Sequence, residues 1–197
     1  MTTAPAAQTP VLTDLLWRGS GFARSAALVV VGSLVLALSA KIQVPFWPVP
    51  MTMQSLVVLL IGIAYGSRLG TATVLAYLVE GLVGLPVFAG ASAGPAYMAG
   101  PTGGYLLGFL LGAACVGRLA ERGWDRSLAG ASVAMALGHI LLFIPGVIWL
   151  AALFGWTNGV AFGVTPFIGA TLVKTALGIM LVAAFWSRYG ERLSGNA

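Results

Sequence analysis

Apolar residues dominate the chain in six runs, and charged or turn-forming residues gather in the short stretches between them. The runs cover residues 22–40, 52–65, 69–88, 105–120, 128–154 and 160–186. A helix of roughly 20 apolar residues is long enough to cross the hydrocarbon core of a bilayer. The second run is short by this measure, and the others approach or exceed it. The pattern therefore predicts an all-α integral membrane protein.

The distribution of positive charge indicates whether the short second run crosses the membrane, because Arg and Lys gather in the cytoplasmic loops of membrane proteins. If the chain crosses six times, every arginine falls on one side and Lys41 is the loop cation on the other. Without the second crossing, the arginines are divided between the two sides. They are Arg18, Arg24, Arg68, Arg118, Arg122, Arg126, Arg188 and Arg192. The charge pattern therefore predicts six transmembrane helices with both the N and C termini in the cytoplasm.

Composition excludes several classes of protein. Hydrophobic residues make up 59% of the 197 residues and charged residues 8%, against roughly 45–50% and 25% in soluble domains. A chain of this length leaves no room for a second domain such as an ATPase. One cysteine, Cys115, provides neither a disulfide framework nor a CxxC metal site. The net charge of +5 follows from the loop arginines and does not indicate a nucleic-acid surface, which needs a solvated basic patch.

The first 21 residues are rich in Ala, Thr and Pro. They predict a flexible cytoplasmic tail with one short interfacial turn near residues 15–17, followed by a single membrane domain over residues 22–197. A signal peptide ending in "LALSA" is the rival interpretation, but the stretch before its apolar run would be unusually long. We expect a multi-pass protein of a bacterial or archaeal plasma membrane.

Polar side chains enter the predicted helices at similar depths. Lys174 lies roughly 12–15 Å from the outer end of the last helix, and Glu80 and His139 each lie roughly 18 Å from the inner face. Gln54 begins the second helix from outside. Intramembrane ionisable groups cost on the order of 2.5–3.5 kcal/mol and indicate function by default. These residues predict a pocket in the outer half of the bilayer.

Two other interpretations of these polar residues stay open. Glu80 and Lys174 could neutralise each other as a structural ion pair. His139 could be a hydrogen-bonded packing residue, and with no Cys or second His nearby we expect no metal site.

The predicted extracellular connections contain many turn-forming residues. In "KIQVPFWPVPMTMQ", three prolines prevent a regular helix and present Phe46 and Trp47. The segment "GLPVFAGASAGPAYMAGPTGGYLLGF" is glycine-rich and uncharged. Irregular backbone is tolerated at membrane depth where it lines a cavity, and its N–H and C=O groups can then face a ligand. We interpret this second segment as a lid over the pocket.

Three motifs in these segments, "VPMTMQ", "GLPVFAG" and "GPTGGYLLGF", follow one another in a chain with six apolar runs. In this order they resemble the BioY family, the biotin-specific substrate-binding (S) component of energy-coupling factor (ECF) transporters. The resemblance runs from about Ser33 to Met180. It implies a membrane protein without enzymatic activity or cofactor that captures biotin from outside. It also implies a transmembrane coupling protein and a pair of cytoplasmic ATPases as partners, although family members also occur without obvious dedicated partners.

In this family the last helix begins with a proline-containing segment, followed by an Asp-x-x-Lys pair that contacts the ligand. Here Pro166, Phe167 and Lys174 match, and Thr171 stands at the aspartate position. Lys174 can donate to a carboxylate or to the ureido carbonyl of biotin. Thr171 lies one turn before Lys174 on the same face, but a hydroxyl accepts more weakly than a carboxylate.

Another residue is therefore expected to accept hydrogen bonds from the two ureido N–H groups, with Glu80, Gln54 and Asn158 as unranked candidates. Aromatic residues of the loops supply apolar walls. The complete predicted binding site is Lys174, Thr171, Gln54, Glu80, Asn158, Phe46, Trp47, Phe88, Tyr97, Gly103, Gly104 and Tyr105.

The first helix carries a strip of small residues, Gly32, Ser33 and Ala37. Small residues let two membrane helices approach closely, and the family resemblance implies that such a strip docks the coupling protein. The alternative is that the strip packs within the bundle.

Two other functions are weighed against this interpretation. A self-sufficient carrier of biotin or another small carboxylate would need a coupling-ion site, commonly in internal repeats. No repeat is evident, although Glu80, His139 and Lys174 could form a proton relay. A membrane enzyme would need a nucleophile with its base or a metal constellation, and "GPTGGY" lacks the lysine and Ser/Thr of a phosphate loop.

Overall fold

The computed structural model describes residues 9–17 and 21–194, and Arg18 lies outside this part of the chain. The described fold is helical apart from one two-stranded hairpin. Its elements are α1 Leu12–Leu16, α2 Phe22–Lys41, β1 Gln43–Val44, β2 Met51–Thr52, α3 Gln54–Leu82, α4 Pro95–Ala99, α5 Gly103–Ala120, α6 Leu128–Phe154, α7 Trp156–Gly163 and α8 Ile168–Ser194, with 3-10 turns at Trp124–Arg126 and Thr165–Phe167. Five helical segments of this part are long and apolar enough to cross a membrane. The prediction of a helical, multi-pass membrane protein is confirmed.

Helix α3 reverses direction at Gly66. The backbone there has φ 78° and ψ 176°, a region that glycine alone adopts readily. The two halves then pack side by side: a Cβ added to Gly70 would lie 3.0 Å from the Cα of Gly62, and Gln54 Nε2 donates to Tyr77 Oη at 2.6 Å. In a continuous helix Gln54 and Tyr77 would be roughly 34 Å apart. The second and third apolar runs thus form a helical hairpin.

Helix boundaries differ from the apolar runs where glycine and proline interrupt the backbone. The third run continues to residue 88, but α3 ends at Leu82 because Gly84 adopts φ 101° and Pro86 follows. The sixth run begins within α7, and the long helix α8 begins only at Ile168, after a 3-10 turn that contains Pro166. Hydrophobicity does not mark these breaks, because the residues on both sides are apolar.

The N-terminal segment packs on the arginine-rich end of the bundle. Val11 and Leu12 are buried, Thr13 Oγ1 donates to the carbonyl of Ala64 at 3.1 Å, and Arg24 donates to the carbonyl of Thr13 at 2.8 Å. Residues 9–17 therefore do not extend from the bundle as the flexible tail predicted for residues 1–21. This packing buries the side chains of Val11 and Leu12, and it gives the carbonyls of Ala64 and Thr13 hydrogen-bond donors. Residues 1–8 and 18–20 lie outside the described part.

Close packing of backbone joins α5 to its neighbours. A Cβ at Gly104 would collide with the carbonyl of Pro145, and one at Gly108 with the carbonyl of Leu142. Glycine therefore lets α5 approach α6 closely, as small residues do at membrane helix contacts. This contact fixes the helices that carry one wall of the cavity described below.

Candidate substrate-binding site

A small cavity lies beneath the β1–β2 hairpin, at the end of the bundle opposite most of the arginines. Its volume of about 50 Å³ holds roughly four water molecules. The polar residues that line it are Thr52, Gln54, Ser55, Thr102, Thr171 and Lys174. The aromatic residues that line it are Tyr97, Tyr105, Phe109, Phe143 and Phe167. The cavity thus combines an apolar wall with a few polar groups, as small-molecule sites do.

Lys174 is the cationic residue of this lining. Its side chain is buried, with 8% exposure, and Nζ donates to the backbone carbonyl of Thr52 at 2.7 Å and to Ser55 Oγ at 3.1 Å. Both acceptors are neutral, and the ammonium has three N–H donors. Among the charged side chains that the structure describes, which end at Arg188, the ion pair found within 4.0 Å is Arg24 with Asp14. Lys174 is therefore a buried cation with no carboxylate partner in the described chain.

The interpretation of Glu80 as the structural ion-pair partner of Lys174 is wrong. Glu80 is half-buried and does not line the cavity. On its helix, Tyr77 and Gly81 face the bundle, and Glu80 falls beside this buried strip. The ammonium of Lys174 instead reaches the backbone at Thr52.

His139 packs between helices, in agreement with the second interpretation. It is 3% exposed, and its Nδ1 lies 3.1 Å from the carbonyl oxygen of Met135 and 3.0 Å from Thr175 Oγ1. No hydrogen bond joins His139, Glu80 and Lys174 in the described residues. The structure therefore gives no support to the proton relay.

Gln54 presents an acceptor to the cavity. Its Nε2 donates to Tyr77 Oη at 2.6 Å, and Tyr77 Oη donates to the carbonyl of Val87 at 3.1 Å. This chain of hydrogen bonds fixes the amide, so that Oε1 accepts from Thr52 Oγ1 at 3.3 Å and keeps a second lone pair. Asn158, by contrast, is exposed and donates to the carbonyl of Phe154 in the preceding helix. Among the three acceptor candidates, Gln54 alone lines the cavity.

The predicted aromatic residues divide into those that line the cavity and those that support it. Tyr97 and Tyr105 line it, and Tyr105 Oη donates to the carbonyl of Gly163 at 2.7 Å. Phe88 is buried behind Tyr97, with the two rings stacked at 4.9 Å between centroids. The prediction of Phe88 as a wall residue is thus replaced by a supporting position.

Phe46 and Trp47 lie outside the cavity, at the tip of the β1–β2 hairpin. Trp47 is 70% exposed and packs its ring on Phe154 and Phe162 at 6.0 and 5.7 Å between centroids. Trp47 therefore fastens the tip of the hairpin, and neither aromatic side chain lines the space below it. Val49, Pro50 and Thr52 of the hairpin line the cavity together with Ala89, Tyr97 and Thr102 of the segment that the sequence predicts as a lid.

A model of the BioY family matches residues 7–191. The chain belongs to the BioY family. A probable biotin transporter BioY of Pyrococcus horikoshii is 34% identical over 174 residues, which cover 88% of this chain and 98% of the relative. A biotin transporter BioY of Thermotoga maritima is 34% identical over 163 residues, covering 79% and 87%.

The fold is also similar to that of a solved protein, described as the S-component for biotin from an ECF-type ABC transporter. The TM-score is 0.69 at 24% identity, over 84% of this chain and 92% of that chain. At this identity the likeness establishes the shared fold. The relatives of this BioY family member are named transporters, which places the chain among transport proteins and not among enzymes.

Gly103 and Gly104 of this family member pack at the helix contacts and do not line the cavity. A Cβ at Gly103 would collide with the carbonyl of Met98, and one at Gly104 with that of Pro145. Their contribution is to position the first turn of α5, which carries Tyr105 into the wall.

The small strip on α2 faces inward. Gly32 and Ser33 are buried and Ala37 is half-buried; a Cβ at Gly32 would lie 2.5 Å from Thr73 Cγ2 and 3.1 Å from Tyr65 Cε2. The strip therefore packs α2 on the α3 hairpin, as the alternative interpretation held. The large apolar side chains of α2 that are exposed are Phe22, Val30, Val31, Leu34, Val35 and Leu38.

Several lining residues were missed by the sequence interpretation. Thr52 and Ser55 flank Gln54 in "MTMQS", and Phe167 belongs to the segment that matched the family motif. Their positions next to recognised residues are the signal that could have found them. Phe109 and Phe143 lie within uniformly apolar runs and give no such signal.

Proposed function

We propose that this protein takes up biotin as the membrane-embedded substrate-binding component of an ECF transporter. Membership of the BioY family supports the substrate, and the shared fold supports the class of component. The observation that carries the proposal is the buried Lys174, which faces the cavity without a carboxylate partner in the described chain. A buried cation is strongly disfavoured unless it is paired, and an anionic ligand supplies the partner.

The chemistry of biotin fits the residues of the cavity. The molecule has two ureido N–H donors and a carbonyl, a tail carboxylate and an apolar bicyclic body. Lys174 donates to the carboxylate or to the ureido carbonyl. Gln54 Oε1 and the hydroxyl of Thr171 accept from the ureido N–H groups, so that two neutral acceptors take the place of the family's aspartate. Tyr97 and Tyr105 contact the apolar body.

Binding requires the cavity to widen. Its volume of about 50 Å³ is well below the roughly 300 Å³ or more of typical ligand pockets. The β1–β2 hairpin covers the cavity and is fastened at its tip by Trp47. Lys41 connects the end of α2 to the loop between α3 and α4, because it donates to the carbonyls of Pro86 and Phe88 at 2.7 and 2.9 Å. We infer that the hairpin moves away from this position when biotin enters.

We further propose six crossings of the plasma membrane, with both termini in the cytoplasm. The reversal at Gly66 supports this count, because each half of α3 then crosses separately. The halves are short, roughly 18 and 24 Å at the helical rise, so the bilayer must thin locally around them. The cationic end, which carries Arg68 and Arg122, is then cytoplasmic, in line with the positive-inside rule.

Labelling of introduced cysteines tests this topology. In a Cys115→Ala background, Arg68→Cys should react with an impermeant thiol reagent only from the cytoplasmic side, and Asn158→Cys only from outside. Both side chains are exposed in the structure, so poor access does not limit the reaction. Reaction of both from the same side would contradict six crossings.

A transmembrane coupling protein and a pair of cytoplasmic ATPases are the proposed partners. The inward orientation of Gly32 and Ser33 moves the proposed docking surface on α2 to its exposed face, which includes Val31, Leu34 and Val35. Bulky or charged replacements there should stop uptake in cells that contain the partners and leave biotin binding unchanged. Loss of binding would instead assign this face to the substrate-binding bundle.

The proposed substrate is tested by thermal unfolding of the purified protein with a panel of vitamins. A ligand at a hundred times its Kd adds about 2.7 kcal/mol of apparent stability. Biotin should raise the Tm, and thiamine and riboflavin should not; the reverse result would reject the substrate. Biotin methyl ester distinguishes the two possible contacts of Lys174, since weaker binding of the ester assigns Lys174 to the carboxylate.

A further inference from the structure

Lys41 is the last residue of α2, and its ammonium reaches the loop between α3 and α4. The side chain is exposed, yet Nζ donates to three backbone carbonyls, at 2.7 Å to Pro86, at 2.9 Å to Phe88, and to Gly90. An ammonium has three N–H donors, so the protein itself uses the full hydrogen-bonding capacity of this group. Lys174, by contrast, keeps a donor for a ligand.

The three carbonyls belong to an irregular segment, residues 83–94. Gly84 and Gly90 adopt φ of 101° and 69° there, and the same three carbonyls accept from no backbone N–H in the described part of the chain. Carbonyl oxygens that converge on one point carry like partial charges and repel one another unless a cation lies between them. The ammonium of Lys41 therefore stabilises the conformation of this turn.

The turn supports one wall of the substrate-binding cavity. Ala89 lies between two of the three carbonyls and lines the cavity. The neighbouring Phe88 is buried, and its ring stacks on that of Tyr97 at 4.9 Å between centroids. Tyr97 also lines the cavity. A change in the turn would therefore move two groups of the wall.

The hydrogen-bond acceptor on Gln54 depends on the same turn. The amide of Gln54 donates to Tyr77 Oη, and Tyr77 Oη donates to the carbonyl of Val87. Val87 lies between the first two carbonyls that Lys41 binds. The orientation of the Gln54 amide is thus linked to the conformation of the turn.

We propose that Lys41 is a positioning residue for biotin binding. Its ammonium holds residues 86–90 in the conformation that places the cavity wall and the Gln54 acceptor, and Lys41 itself does not line the cavity. The inference rests on the function proposed above. Preorganisation raises affinity because the cost of ordering the site is not paid on binding. If the turn kept the competent conformation about one tenth of the time, the apparent Kd would rise about tenfold.

The test compares the wild-type protein with Lys41→Met, which keeps an unbranched side chain of similar length and removes the ammonium. The Kd of biotin in isothermal titration should rise roughly tenfold. Without biotin, amide hydrogen exchange should become faster across residues 86–98 but stay unchanged in α5. An unchanged Kd or unchanged exchange in the turn would overturn the proposal. The exchange needs no ligand, so it is distinct from a failure of the proposed function, in which the wild-type protein would not bind biotin.

Biotin methyl ester distinguishes positioning from simple attraction between Lys41 and the carboxylate of biotin. Positioning predicts the same relative loss of affinity in Lys41→Met for the ester as for biotin, because the wall contacts the bicyclic body. Attraction between charges predicts almost no loss for the neutral ester, and that result would overturn the proposal.

Chemical rescue provides the matched control. In a Cys115→Ala background, Lys41→Cys alkylated with 2-bromoethylamine regains an ammonium at the length of a lysine side chain, and the exposure of this position gives the reagent access. This adduct should recover both the wild-type Kd and the slow exchange of residues 86–98. The same variant treated with iodoacetamide carries no charge and should recover neither. Equal recovery with both reagents, or no recovery with the ammonium adduct, would overturn the positioning role.

Discussion

The two ends of the bundle differ in whether their charged side chains have partners of opposite charge. At the outer end Lys174 is held by the carbonyl of Thr52 and the hydroxyl of Ser55, and no acid of the described chain pairs with it. At the inner end Arg24 pairs with Asp14 at 3.0 Å, and the half-buried carboxylate of Glu121 accepts the backbone N–H and the hydroxyl of Ser67 at 2.7 and 2.9 Å. The outer end is therefore incomplete without a ligand, whereas most polar groups at the inner end are already paired.

This difference predicts that substitutions at the outer end change the affinity for the ligand and that substitutions at the inner end change the stability of the fold. Variants of the outer cavity should lose mainly ligand affinity, because Lys174 and Gln54 Oε1 keep hydrogen-bonding capacity for a ligand. Variants at the inner end should lose stability with little loss of affinity, because they break contacts that already exist.

The largest loss of stability is expected from Gly66→Val at the inner end. The side chain would adopt φ 78°, a region that costs a non-glycine residue on the order of 1–3 kcal/mol. Its Cβ would also lie 2.8 Å from Glu121 Oε1. We expect the Tm to fall by about 5–10 °C, measured by thermal unfolding in detergent. Gly21→Ala is the control, because its Cβ meets nothing within 4 Å; an equal loss in both variants would contradict the reversal at Gly66.

The next effect is on affinity. Gln54→Leu removes an acceptor from the cavity at similar volume and should weaken biotin binding by roughly 5- to 30-fold, about 1–2 kcal/mol, in isothermal titration. Glu80→Gln and Asn158→Ala, at the other two candidate positions, should leave binding unchanged, because neither side chain lines the cavity. If either of these variants lost more biotin affinity than Gln54→Leu, that residue, and not Gln54, would be the acceptor for the ureido N–H groups.

The smallest effect is expected from Glu121→Gln. The amide keeps one oxygen for Ser67 but loses the charge that strengthens both hydrogen bonds. Stability should fall by about 1 kcal/mol, or about 2–4 °C in Tm, while biotin affinity stays within about twofold. If Glu121→Gln weakened biotin binding but kept the wild-type Tm, the inner end would behave like the outer end, which would contradict the proposed difference.

The sequence predicted the helical membrane fold because the bilayer requires long apolar runs and places arginines in the cytoplasmic loops along the whole chain. It also predicted Lys174 and Gln54 of the cavity, because polar residues in apolar helices are rare enough to stand out. It did not show that Glu80 and Asn158 lie away from the cavity or that Gly32 faces inward. In a helix that is apolar on every side, periodicity does not reveal which face is buried, so the orientation of each helix had to come from packing.

Residues 9–17 were misjudged for a related reason. A short segment rich in Ala, Thr and Pro has too few apolar residues to predict burial. Its packing depends on surfaces that the folded helices create, including the carbonyl of Ala64 that accepts from Thr13. Local composition does not contain that information.

The central claim is that Lys174 is a buried cation whose missing partner is biotin. Its most direct test is the Kd of biotin for Lys174→Met, a substitution that keeps an unbranched side chain of similar length and so avoids a new cavity. Removing one partner of a buried charge pair costs about 2–5 kcal/mol, so binding should weaken by roughly 30-fold to several thousandfold while the protein stays folded. Wild-type affinity in this variant would contradict the account.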